Sequence, residues 1–116
     1  MDVCFEGIGQ VVATFRTEDK ELEAGMAVTL KKSGTVGLGD GGAVCGVTVG
    51  AQRGGAVAVQ IGGVVKVGCS DGSIPEAGYA VLACDGEGKV TVSEKDGVSC
   101  LVLAVDRDEQ TAVIKL

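Results

Sequence analysis

Apolar residues along this chain come in short runs of strand length, separated by glycine-rich punctuation. Asp40-Gly41, Asp71-Gly72, Asp85-Gly86 and Asp96-Gly97 are turn dipeptides, as are Gly54-Gly55 and Gly62-Gly63. The runs between them predict strands over Gln10–Arg16, Met26–Lys31, Ala43–Val49, Ala56–Ile61, Val64–Gly68, Tyr79–Cys84, Lys89–Ser93, Ser99–Val105 and Thr111–Leu116. Short strands at this spacing describe an all-β domain, a small barrel or sandwich with little or no helix. The charged stretch Thr17–Glu23 reads as an exposed acidic loop or as one helical turn closed by Gly25.

The clearest hairpin signal is Ala56–Ile61, Gly62-Gly63, Val64–Gly68, because two glycines can both take the positive φ of a type I′ turn. Such a turn pairs Ile61 with Val64 and Val59 with Lys66. Val57, Val59 and Ile61 then share one face with Val64, while Val65 and Val67 lie on the other with Ala58. Both faces are apolar, whereas a hairpin on a solvated barrel has a polar outer face. Either a bulge shifts the register or another subunit covers the outer face. The second reading makes Val57, Val59, Ile61, Val65 and Val67 candidate oligomer-interface residues.

One unit occurs twice. Glu23-Ala24-Gly25-Met26-Ala27-Val28 returns as Glu76-Ala77-Gly78-Tyr79-Ala80-Val81. Gly34-Thr35-Val36 matches Gly88-Lys89-Val90, and Val44-Cys45-Gly46-Val47 matches Ser99-Cys100-Leu101-Val102. The offset drifts in turns, where insertions cost little. Residues 23–61 and 76–116 therefore form two similar halves of a single β-domain spanning 23–116, closing on each other because neither buries a full core alone. Residues 1–22 stand before the repeat as an N-terminal strand or arm. Pro75, the one proline, stiffens the crossover between the halves.

Composition supports this picture. The 116 residues suit one domain and include 20 Val and 20 Gly but only three aromatics, the stiff and turn-forming mixture of β-structure. A net charge of −6 lacks the basic footprint of a nucleic-acid binder or an anionic-membrane binder. The absence of His removes the usual residue of triads, imidazole metal sites and neutral-pH switches. No apolar run approaches the roughly 20 residues of a membrane-spanning helix. The start, Met1-Asp2-Val3-Cys4, lacks the basic and apolar pattern of a signal peptide. Cys4, Cys45, Cys69, Cys84 and Cys100 are odd in number with no C-x-x-C spacing, so reduced thiols and no disulfide are expected.

Candidate chemistry is sparse. Gly37-Leu38-Gly39-Asp40-Gly41-Gly42 fits G-x-G-x-x-G, but strand-like residues follow where a dinucleotide site opens a helix. Asp85, Glu87 and Glu94 fall out of step with a calcium loop, which wants an oxygen ligand where Lys89 stands. Ser70 near Lys66 sits in no motif that sets a catalytic geometry. The expectation is no catalytic residue, no metal and no cofactor. A hydrolase with a hidden Ser–Lys or carboxylate site, and a small-ligand or glycan-binding β-barrel, remain the rival readings; the latter calls for an aromatic-lined pocket.

The ordered series of motifs resembles the small bacteriophage head-decoration, or capsid cement, proteins. It runs Glu-Ala-Gly-x-Ala-Val, Gly34-Thr35-Val36, Val44-Cys45-Gly46-Val47, the segment Val57–Val67, Ala77-Gly78-Tyr79-Ala80-Val81 and the last strand Thr111–Leu116. The likeness covers about residues 23 to 116, and Leu101 stands where the family pattern has glycine. It implies a non-enzymatic virion protein on the capsid exterior, made in the bacterial host cytoplasm. Its partners would be the major capsid protein and further copies of itself, often as a trimer. Val3 and Phe5 alternate in the N-terminal segment, as strand addition to a capsid sheet edge requires, and are the candidate capsid contacts. The competing reading pairs that segment within its own barrel.

Overall fold

The structure is a computed structural model that describes residues 9–93 and 97–116. Eleven strands make up its regular structure: β1 (Val11–Thr17), β2 (Ala27–Lys32), β3 (Thr35–Gly37), β4 (Asp40–Ala43), β5 (Gly46–Thr48), β6 (Ala56–Gly62), β7 (Val64–Gly68), β8 (Gly78–Asp85), β9 (Val90–Val92), β10 (Val98–Asp106) and β11 (Thr111–Lys115). No helix occurs among the described residues, so the fold is all-β as expected. The segment 18–26 leaves β1 as a loop, not a helical turn, and tucks Leu22 into the barrel beneath it. The run Ala43–Val49 is divided: β4 ends at Ala43 and β5 begins at Gly46.

β1, β3, β2, β5 and β6 close a barrel in that order. β6 pairs antiparallel with β1 and β5, β2 pairs antiparallel with β5 and β3, and the parallel contact of Arg16 with Thr35 joins β1 to β3. The second sheet repeats the scheme. β11 pairs antiparallel with β7 and β10, β8 pairs antiparallel with β10 and β9, and a parallel bridge from Cys69 to Val90 ties the end of β7 to β9. β1 thus does in the barrel what β7 does in the second sheet. β4 crosses from the first unit to pair with β8, Ala43 opposite Ala83.

The expected β6–β7 hairpin does not form. β6 lies between β5 and β1, and β7 pairs with β11, so Gly62-Gly63 carries the chain from one sheet to the other. Only Gly63 of the two has positive φ, 85°, where a type I′ turn needs both. The apolar faces have a simple origin: the two strands serve different cores. Val57 and Val59 pack inside the barrel with Leu22, Val28 and Val36. Val67 packs in the second core with Leu82, Cys84, Val102 and Ile114. Ala27, Val44 and Val47, from the first unit, complete that second core and lock the two units together.

The crossover is held by a buried polar side chain. Gln60, 4% exposed, donates from Nε2 to the carbonyls of Gly62 and Val64 at 3.0 and 3.1 Å. Its Oε1 accepts from Gln10 Nε2 at 3.3 Å. An amide buried among strands is tolerated because its donors and its acceptor all find partners.

Candidate functional site

The interface expected at Val57, Val59, Ile61, Val65 and Val67 is corrected by burial. Val57, Val59 and Val67 are interior residues of the chain's own cores and offer no surface to a partner. Val65 is half-buried against the second core, and Ile61, 38% exposed, is the one of the five that faces outward. Val3 and Phe5 lie outside the described residues.

The Gly37–Gly42 segment is occupied by the protein itself. Gly37 ends β3 and Asp40 opens β4, so strand follows strand with no helix N-terminus to face a phosphate. The Leu38 N–H donates to Asp19 Oδ2 at 2.7 Å, and a Cβ at Gly37 would lie 2.5 Å from the same oxygen. A carboxylate thus sits where the phosphate-cradle reading needs an anion. Asp85 likewise serves its own turn, its Oδ1 accepting from Glu87 N–H at 2.8 Å and Lys89 N–H at 3.1 Å. Glu94 is outside the described residues. Among those residues no three His, Cys, Asp or Glu side chains gather as a metal site.

Lys66 Nζ is paired with Glu109 Oε2 at 3.2 Å on the open surface, beside a shallow groove of about 350 Å³ along Ala104, Asp106, Thr111 and Val113. Such a solvated pair is a weak one. The groove has none of the aromatic lining of a small-ligand pocket.

Burial pushes the thiols of Cys45, Cys69, Cys84 and Cys100 above their ordinary value. Cys84 goes furthest, to about 12, through burial first and then through neighbouring Cys45 and Asp85, with Lys31 a smaller opposing influence. Protonated, enclosed thiols are poor nucleophiles, and these four act as small apolar side chains.

What the fold presents outward is a surface. Along β8 the residues alternate: Ala80 and Leu82 turn into the second core, Tyr79 and Val81 turn out. Tyr79 is 80% exposed, the most open large apolar residue among those described. On the neighbouring strand Leu101 lies opposite Tyr79 and Ser99 opposite Val81. No protein-family model and no curated protein matches this chain. Its surfaces therefore have to be interpreted from their own chemistry. The exposure of Tyr79 escaped the sequence reading because β8 is apolar on both faces, so alternation alone could not assign its outer side. The available signal was the repeat, which keeps Ala-Val in both copies and exchanges Met26 for Tyr79, a side chain with an apolar body and a polar tip.

Proposed function

We propose that the protein is a non-enzymatic bacteriophage structural protein that binds the outside of an assembled capsid through the major capsid protein and stabilises the shell. The reading rests on the resemblance of the ordered motif series to head-decoration proteins, and the two β-units with the same strand-pairing scheme are compatible with it. A protein that binds only an assembled lattice shifts assembly by mass action. Each occupied site contributes RT ln(1 + [L]/Kd), and the contributions add over the shell. The net charge of −6 keeps such a protein from competing for packaged nucleic acid. Synthesis in the bacterial host cytoplasm followed by docking on the virion exterior is the course this reading implies.

The test mixes the purified protein with undecorated shells and with dissociated capsid subunits of the virus that encodes it. Co-sedimentation with shells but not with subunits, and a rise in the temperature at which shells rupture, are expected. Failure to bind intact shells overturns the reading. Saturable binding of a glycan or small molecule in place of shells supports the ligand-binding alternative.

A further inference from the structure

The two units meet through a contact whose counterpart in the repeat is not made within the chain. Within the chain, the β8–β9 turn of the second unit rests on the start of β2 in the first. Gly88 O accepts from the Ala27 N–H at 2.8 Å, and a Cβ at Gly88 would lie 2.8 Å from Met26 Cγ. In the repeat, Tyr79 stands where Met26 stands, and Gly34, in the β2–β3 turn, stands where Gly88 stands. Both turn glycines share the left-handed conformation, φ 68° at Gly34 and 88° at Gly88. The docked pair is enclosed, Met26 being half-buried. The corresponding side-chain contact is not made: Tyr79 is 80% exposed and an added Cβ at Gly34 would meet nothing within 4 Å, while the Gly34 carbonyl accepts from the Arg16 N–H at 2.8 Å within the chain.

We propose that the protein associates head to tail with copies of itself, the β2–β3 turn at Gly34 of one copy docking on Tyr79 of the next. Lys31 and Lys32 precede the turn and are exposed, and Lys32 Nζ pairs with Glu18 Oε1 at 3.1 Å. Such a solvated pair is weak and leaves both lysines able to meet an acidic partner. Glu76, also exposed, lies three residues before Tyr79, so the lysines of the turn and this carboxylate favour one orientation of the two copies. Tyrosine is suited to the centre of such a contact, since its ring buries area while its hydroxyl keeps a hydrogen bond. The docking turn and its receptor lie on different units, so the contact is heterologous. Repeated, it yields a ring if the rotation closes and a filament if it does not. This association does not depend on the capsid reading and needs no shell to be observed.

Two variants separate the halves of the contact. Tyr79→Glu removes the receptor, and the double substitution Lys31→Glu with Lys32→Glu reverses the charge of the tip. At high protein concentration the wild-type chain is expected at a multiple of 11.5 kDa by light scattering, and each variant alone at 11.5 kDa. Mixed in equal amounts, each variant supplies the half the other lacks, and a species of twice the chain mass appears. Unchanged thermal unfolding checks that each variant is folded, and Tyr79→Ser replaces Tyr79→Glu if the glutamate disturbs the strand. A wild-type chain that stays monomeric overturns the proposal, as does an unaltered assembly of the Tyr79 variant. An unaltered assembly of the lysine variant, or a mixture that stays monomeric, also overturns it, because both point to a contact that does not use the tip.

Discussion

Gln110 occupies in the second unit the place that Gly55 holds in the first. Both precede the last strand of their unit, with φ of 55° and 82°. Both carbonyls receive the hydrogen bond that ends the unit's first strand: Thr17 N–H donates to Gly55 O at 2.9 Å and Cys69 N–H to Gln110 O at 2.7 Å. Gln110 is the one non-glycine residue with positive φ among those described. Its side chain offsets part of the cost by donating to Asp71 Oδ1 at 3.0 Å.

The equivalence makes a graded prediction. Gln110→Gly relieves left-handed strain of about 1 kcal/mol and loses an exposed hydrogen bond, so the variant should equal or exceed the wild type in stability by up to about 0.5 kcal/mol. Gln110→Val places a β-branched residue in the same conformation and should cost about 2 kcal/mol. Urea unfolding of the two variants checks the order, and a glycine variant less stable than the valine variant would contradict it.

Gln60 gives a second prediction at the crossover. Gln60→Leu keeps the volume but strips hydrogen bonds from the Gly62 and Val64 carbonyls and from Gln10. Leaving buried acceptors unpaired costs about 1–3 kcal/mol, and the denaturant midpoint should fall accordingly. Gln52→Leu is the contrast. That amide contacts the Lys20 carbonyl and the Gly55 N–H in a surface turn, and its loss should cost less than half as much.

The strands were legible in the sequence because β-branched runs and Gly-rich turns mark where an extended chain begins and ends. Their partners were not. β6 and β7 are each apolar on a face that alternation would leave to solvent, and a two-glycine link serves a hairpin and a sheet-to-sheet crossover equally well. Gln60 was the clue against the hairpin, a lone amide among valines whose position makes sense only where backbone carbonyls turn away from their ladder. The repeat was legible through Glu-Ala-Gly-x-Ala-Val. Its extension to β1 was not, because Val11–Thr17 and Val64–Gly68 share a pairing role without a shared motif. For the surface, side-chain type named no site, and Tyr79 gained meaning only when Met26 was found covered at the same position of the other unit.

Leu22 and Leu30 look alike in composition and differ in place. Leu22, 1% exposed, fills the barrel from the loop after β1, whereas Leu30 is 55% exposed on β2. Leu22→Ala leaves a cavity and should cost about 2–5 kcal/mol. Leu30→Ala should stay within about 0.5 kcal/mol of the wild type. Thermal unfolding of the pair checks whether the charged loop is a structural part of the barrel. Equal melting temperatures would show that it is not.

The buried Cys84 thiol predicts a loss of stability at alkaline pH. Burial holds its thiol at about 12, against an ordinary value of about 9 in the unfolded chain. Between those values the unfolded chain releases a proton that the folded protein retains, so the unfolded state binds fewer protons and stability falls as pH rises. The contribution is whole below about pH 9 and is lost on passing through about 12. Cys45, Cys69 and Cys100 are raised in the same direction and steepen the fall. Unfolding measured from pH 7 to 11 should show a plateau followed by a decline. Cys84→Ala should lower the plateau, because it empties part of the second core, and should flatten the decline, because one titrating group is gone. A decline of unchanged slope in that variant would assign the alkaline sensitivity to groups other than the buried thiol.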